Sequence, residues 1–449
     1  MKNKMIKFEI KNFLGHEDVT LNFQQPENIY IGENGLGKTT ILNIIFYTIT
    51  LNHEELQKFN FEKIIVTMNN SESFFLLKED IIISTLLQQR KTIDKINHKS
   101  RFNIDKNISE RLIIENNNEK KLEIFLENNK EQISKLDLNS DNFKDKLEDI
   151  SKFNNAIKKM TNDVDILYFP TFRRIEEDIV NIQGEELYIY QQFLKKQKIS
   201  SKHGELIQFG MSDVEQVIKD LLEKIKELSI NSFNEMTGVL LNQYVESNIR
   251  VDGPIEFNKM EIILNRIGDK INNSLRIKIL NLIQTEEIFN EKNEYLLNLL
   301  VNLIDSYKKQ EEIDIRIKKF VDVCNNYLVN KKYIYDESNV SLNVVNNRND
   351  ERISLKNLSS GEKQIISTFS KIYLEERKEF IILFDEPELS LSLPWQERYL
   401  PDIIASGKCN LLVAVTHSPF IFESSPLFDI SEAISDSITH VNDYDGELK

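Results

Sequence analysis

The chain has very little of what small, stapled or secreted proteins rely on. Its 449 residues include two cysteines, one tryptophan, eight prolines and thirteen glycines. Cys324 and Cys409 stand alone with no CxxC pair, which argues against a disulfide framework and against zinc sites. There is no run of 18 or more apolar residues and no signal-like N-terminal region, so the expectation is a cytoplasmic protein that makes no use of a membrane. Basic side chains are the minority, 57 against 72 acidic, for a net charge of −15. That balance disfavours broad nonspecific binding to nucleic acid while leaving room for a local basic groove. The length allows two or three domains and a core that needs no metal to hold it.

The scarce residues are unevenly placed. Gly32, Gly35 and Gly37 fall together, and five of the eight prolines (Pro387, Pro394, Pro401, Pro419 and Pro426) lie near the C-terminus. Between them, residues 211–335 are rich in Lys, Glu, Asn, Ile and Leu. There Val214, Ile218, Leu221, Ile225 and Leu228 recur at helical steps, as do Ile313, Ile317, Phe320 and Cys324. The spacing predicts two or more long amphipathic helices packed antiparallel, with breaks around 250–270. Mixed Lys and Glu on the polar faces favour a packed arm over a membrane-surface helix.

Both ends read as α/β. Residues 5–10 and 19–23 predict strands, 28–31 a short buried strand, 39–48 a helix, and 64–68 with 73–77 a hairpin. A helix is expected from 128 to 160. The near-continuous apolar runs at 380–384 and 411–415 suit parallel strands covered on both faces.

The strongest chemical signal is Gly32-Glu33-Asn34-Gly35-Leu36-Gly37-Lys38-Thr39, with Thr40 following, a full match to GxxxxGK[ST] between an apolar strand and an apolar helix. Glycines let the loop curl so that successive N–H groups point at phosphates. The helix N-terminus adds partial positive charge, Lys38 reaches the β and γ phosphates, and Thr39 ligates Mg²⁺. A second signal is the run of residues 381–384 into Asp385-Glu386, which delivers two carboxylates to a sheet's carboxyl edge. Asp385 is the expected Mg²⁺ partner and Glu386 the expected base for the attacking water.

A third stretch, Leu358-Ser359-Ser360-Gly361-Glu362-Lys363-Gln364, makes the pattern specific. It resembles the signature motif of ABC-type ATPases. Pro387-Glu388-Leu389-Ser390-Leu391 is similar to their D-loop, and Val415-Thr416-His417-Ser418-Pro419 to their switch histidine. The resemblance implies an α/β P-loop ABC-type ATPase head split into two lobes by a long helical, coiled-coil-like arm, in the manner of SMC-like and OLD-like proteins. Lobe I is expected over 1–210, the arm over 211–335 and lobe II over 336–449. It also implies ATP and Mg²⁺ as cofactors, and a homo-oligomer in which Ser360, Gly361, Glu362 and Lys363 of one copy close on ATP held by Gly32 to Thr40 of another. Lys38, Glu386 and His417 are the implied catalytic residues. No CxxC marks the middle of the arm, which sets the chain apart from zinc-hook repair proteins, and the long insertion sets it apart from transporter subunits.

Leu167-Tyr168-Phe169-Pro170-Thr171-Phe172-Arg173-Arg174-Ile175-Glu176 and the stretch from Phe320 to Tyr335 resemble stand-alone ATPases of bacterial anti-phage systems, of the PARIS kind or the Septu kind. The implied partners are a nuclease effector in trans (Toprim or HNH), a phage-encoded trigger protein and a second copy of the chain. DNA is possible but not required, and a DNA-maintenance ATPase that clamps duplex DNA is the rival reading. Relatives often carry His where this chain has Ser392. Arg173 and Arg174 either bind phosphate or a partner carboxylate, or pair with Glu176 and Glu177. The cluster Arg90, Lys91, Lys95, Lys99 and Arg101 is either a binding patch or a solvated face. By the same resemblance, Lys11 and Phe13 flank the adenine.

Overall fold

The apolar runs around residues 30, 382 and 413 become adjacent strands of one parallel sheet. In the computed structural model the described residues are 4–33, 35–82, 84, 141–170, 204–206, 211–246, 255–267, 271–376, 379–423 and 426–440. In chain order they form β1 (Met5–Phe13), β2 (Glu17–Asn22), β3 (Glu27–Ile31), α1 (Lys38–Ile49), α2 (His53–Leu56), β4 (Lys63–Met68), β5 (Ser73–Leu77), α3 (Asp141–Thr161), β6 (Asp165–Phe169) and β7 (Gly204–Leu206). The middle holds α4 (Met211–Glu246), α5 (Phe257–Arg266), α6 (Asn273–Gln284) and α7 (Glu294–Asn325). Then come β8 (Lys331–Asp336), β9 (Ser341–Asn346), β10 (Arg352–Ile353), α8 (Ser360–Phe369), β11 (Phe380–Asp385), α9 (Leu393–Ile404), β12 (Cys409–Thr416), β13 (Ser431–Ala433) and β14 (Ile438–His440).

Six strands make the parallel sheet, in the order β13-β3-β12-β11-β6-β7. Because side chains alternate across a strand, each central strand feeds two cores. Ile381 and Leu383 of β11, Val413 and Val415 of β12 and Tyr168 of β6 face one side. There they meet α1, α3 and an antiparallel sheet ordered β14-β2-β1-β4-β5. Phe380, Ile382, Phe384, Leu412, Ala414 and Phe169 face the other side. That core contains α8, α9, the lower parts of α4 and α7, and the hairpin β8–β9.

The long helices are rooted in the second core through Met211, Val214, Leu221 and Ile225 of α4 and Ile313, Ile317 and Phe320 of α7. Further out, α5, α6 and the start of α7 enclose a separate core of Met260, Ile263, Ile279, Ile283, Leu297, Leu300 and Tyr307. Two sequence expectations change here. The stretch expected to break the helices contains a helix of its own, α5, because Met260, Ile263 and Leu264 have a buried face to pack against. Residues 331–335, placed in the arm from sequence, form strand β8 instead, since α7 stops at Asn325 and Asn325 pairs with the edge of that strand. Among the described residues no helix is long and apolar enough to cross a membrane. Arg90, Lys91, Lys95, Lys99, Arg101, Arg173 and Arg174, and the first part of the helix expected from 128, lie outside the described residues.

Candidate functional site

Strands β3, β12 and β11 are neighbours, and their carboxyl ends stop level with one another. Ile31 pairs with Thr416 and Val415 with Asp385, so Gly32, His417 and Glu386 each begin where a strand ends. Parallel pairing therefore brings three segments distant in sequence to one edge of the sheet, where α/β proteins bind ligands.

The loop Gly32 to Gly37 curls as phosphate loops require. Gly35 and Gly37 have φ of 94° and 72°, which L side chains rarely adopt. A Cβ on Gly32 would lie 2.5 Å from Ile434 Cγ2, and one on Gly37 would lie 3.0 Å from the Phe13 ring. A Cβ at Gly35 would meet nothing within 4 Å among the described residues, so the bend leaves room for a ligand. Asn34 lies outside the described residues. Glu33 is exposed, Thr40 is half-buried, and Leu36 packs onto the core below the loop.

Lys38 is buried, yet its ammonium is fully engaged. It donates to the carbonyls of Gly32 (2.8 Å) and Glu33 (2.9 Å), and lies 3.2 Å from His417 Nδ1 and 3.8 Å from Glu386 Oε1. His417 Nε2 is 2.6 Å from that same carboxylate oxygen. Thr39 Oγ1 donates to Asp385 Oδ2 at 2.8 Å, so the hydroxyl and the carboxylate expected to share Mg²⁺ already touch. Mg²⁺ typically takes one or two protein oxygens together with phosphate oxygens and water, and this pair fits that donor set. The fit for a nucleotide rests on the same geometry: open backbone at Gly35, a lysine over the loop and a positive helix end at α1.

Glu386 sits in a left-handed conformation, φ 54°, with its N–H donating to Val415 O. Backbone strain in a non-glycine residue concentrates at functional sites. Burial first, and then the neighbouring Glu388 carboxylate, push the Glu386 carboxyl up to about 8. That carboxyl faces His417 Nε2 across the 2.6 Å contact.

Glu388, which the sequence offered only as part of a D-loop, has a definite task. Its Oε1 accepts from the N–H groups of His417 (3.0 Å) and Ser418 (3.1 Å), tying the loop after β11 to the loop after β12. Gln396 adds to this tie by accepting from the Ser418 hydroxyl at 2.7 Å and donating to Leu391 O at 3.0 Å. An acid three residues after a strand end is the only sequence trace of this role. Ser392 is the exposed N-cap residue of α9.

The signature residues sit at the start of α8, in the core on the far face of the sheet from α1. The N-cap is Ser359, whose hydroxyl accepts from Glu362 N while Glu362 accepts from Ser359 N, a complete capping box. Glu362 is correspondingly buried and also pairs with Lys331, so its side chain is turned inward and only its backbone can meet a nucleotide. Ser360 and Lys363 are half-buried, and Gly361 is required sterically: a Cβ there would lie 2.4 Å from Ser390 O. Phe13 departs from its expected place beside an adenine. Its ring is fully buried beneath Gly37, and Lys11 bonds Asp18 at 3.0 Å.

Comparison with known proteins agrees with this reading at the family level. The AAA ATPase domain model AAA_15 matches residues 4–422, and the chain belongs to that family. Two curated sequences are 43% identical over 51 residues: the DNA replication and repair protein RecF of Lactococcus lactis subsp. cremoris, strains MG1363 and SK11. Each match spans 11% of this chain and 14% of the relative's length. Among solved structures, the Smc head domain with an extended coiled coil bound to the C-terminal domain of ScpA, from Pyrococcus furiosus, aligns over 98% of this chain and 96% of its own at 12% identity, TM-score 0.37. An SmcHead bound to the C-winged helix domain of ScpA aligns over 94% and 91% at 10% identity, TM-score 0.33.

Proposed function

We propose that this chain binds and hydrolyses ATP with Mg²⁺ in a site completed by a second copy. The observation that carries the reading is the meeting of Lys38, Thr39, Asp385, Glu386 and His417 at one sheet edge. The loop N–H groups and Lys38 hold the phosphates, after the ammonium exchanges the Gly32 and Glu33 carbonyls for phosphate oxygens. Thr39 and Asp385 would hold Mg²⁺, which would supply positive charge against the phosphates. Glu386 orients the attacking water and takes its proton, and His417 contacts the γ-phosphate from the neighbouring strand. Ser360 and Gly361 begin α8, which packs in the core on the opposite face of the sheet from α1 and its loop, and this supports their use on a nucleotide held by another copy. Gly32, Glu33, Asn34, Gly35, Leu36, Gly37 and Thr40 contribute loop backbone. Glu386→Gln should bind ATP and accumulate ATP-bound oligomers while turnover falls about a hundredfold or more; full turnover in that variant would overturn the assignment.

Its biological use, in our reading, is as sensor and scaffold of an anti-phage complex, holding a separate nuclease until a phage protein binds. That rests on the sequence resemblance around 167–176 and 320–335. The 43% identity to RecF over 51 residues favours a second reading, an ATPase acting in DNA maintenance. Purification with the neighbouring gene's product separates them. A co-purifying nuclease supports defence, whereas tight, ATP-dependent DNA binding that weakens steeply with salt supports maintenance.

A further inference from the structure

Strand β8 touches the signature motif at one end and the arm at the other, through alternate residues of a single face. At its start Lys331 Nζ donates to both carboxylate oxygens of Glu362, each at 2.8 Å, and Glu362 closes the capping box that sets the first turn of α8. Two residues on, Tyr333 is buried against Phe320 of α7, ring centroids 5.2 Å apart. The Asn325 side-chain amide clamps the exposed edge of the strand there, accepting from Tyr333 N at 2.7 Å and donating to Tyr333 O at 3.0 Å. Two further on, the Tyr335 hydroxyl donates to Asp314.

Asp314 is the centre of a buried polar hub. Arg266 Nη2 donates to both of its oxygens at 2.8 Å, and the Tyr307 hydroxyl donates to Oδ2 at 2.8 Å. Arg266 also donates to Gln310 Oε1 (2.7 Å) and to Glu337 O (2.8 Å), just past the end of β8. Ser229 of α4 reaches the same Gln310 oxygen at 2.9 Å. One hub thus joins α4, α5, α7 and the strand, with Arg266 and Asp314 side chains only 4% and 1% exposed. A charge pair out of water fixes geometry, because moving either partner leaves a buried charge alone. The span from Lys331 to Tyr335 is about 13 Å of extended chain, which transmits displacement along its axis with little give.

We infer that Lys331 is a positioning residue for the signature motif, and that β8 makes the placement of Ser360 and Gly361 depend on how the arm is seated at Arg266 and Asp314. The inference rests on the reading that the signature closes over ATP held by a second copy. From the other side the same turn is braced by Ser390 O and the Trp395 ring against Gly361 and by Gln364 donating to Pro387 O at 3.0 Å, so Lys331 supplies a charged brace from outside the D-loop. When the arm holds its present position, the first turn of α8 is fixed; when a partner shifts the arm, the brace loosens and closure on ATP weakens.

The test is a kinetic comparison of wild type, Lys331→Met, Lys331→Arg, Asp314→Asn and the Lys331→Met/Asp314→Asn double variant, with ATP binding to the full chain measured alongside by a fluorescent ATP analogue. The expectation for Lys331→Met is a fall in kcat of about tenfold, with analogue affinity unchanged because the P-loop lies in the other core. Lys331→Arg should recover most of the rate. Asp314→Asn should lower kcat in the same direction, and the double variant should be no worse than the poorer single one, since both act through one strand. Wild-type kcat in Lys331→Met, or strictly multiplicative losses in the double variant, would overturn the inference while leaving the ATPase reading intact. A wild-type chain that binds and hydrolyses no ATP would overturn that reading and this inference together.

Discussion

The two faces of the parallel sheet use the same strands for different ends. On one face α1 brings the phosphate loop to the carboxyl edge, where Lys38, Thr39, Asp385, Glu386 and His417 are wired to one another by direct contacts. On the other face α8 presents Ser360 and Gly361, and the contacts around them are structural: a capping box, a lysine and the backbone of Ser390. Chemistry is preassembled on the first side and only scaffolded on the second. On the proposed function, such a chain would hold one ready half of a site and offer the other half to a second copy.

The sharpest way to break this contrast is at Lys38. Lys38→Met should lower turnover by about a hundredfold to a thousandfold and abolish ATP binding, because the buried ammonium serves both, and isothermal titration would read the binding loss directly. Acid should separate the faces next. His53, fully buried on the phosphate-loop side, is held down at about 4 by burial, against an ordinary value near 6.5. Protonation then favours the unfolded chain, so this contribution is complete above about pH 6.5 and disappears as pH falls towards 4, about 3 kcal/mol in all. Urea unfolding at stepped pH should show that loss, and His53→Gln should flatten it.

On the signature side, Gly361→Ala drives a methyl into Ser390 O and should cost about 1–3 kcal/mol through the D-loop. ATP-dependent association measured by light scattering should weaken while ATP binding to the isolated copy persists. An equal loss of both would erase the distinction between faces. The mildest effect concerns Glu386. A base whose carboxyl is pushed up to about 8 is largely protonated at pH 7, so kcat/KM should rise about tenfold between pH 7 and 9 and level off above. A flat profile there would show that another group limits the rate.

Much of the phosphate-loop face was readable from the chain because its signals are local. A glycine spacing, a lysine and a strand running into Asp385-Glu386 each carry their chemistry within a few residues, and the periodicity of α4 and α7 announced the long helices. What stayed hidden depends on three-dimensional partners. Nothing near Lys331 names Glu362, and nothing near Glu388 names the amides of His417 and Ser418. Phe13 was misplaced because a buried ring under a glycine and an exposed ring beside a base look alike in sequence. Helix α5 escaped because its buried face exists only once α7 is beside it.

The rooting of both long helices in the signature-side core has an evolutionary consequence. Lengthening, trimming or exchanging what lies beyond Arg266 and Asp314 would alter any surface the arm offers a partner, while the residues proposed to handle phosphate, packed in the opposite core, would keep their surroundings. A lineage could then retarget such a machine by rewriting one insertion, and its motor would be inherited unchanged.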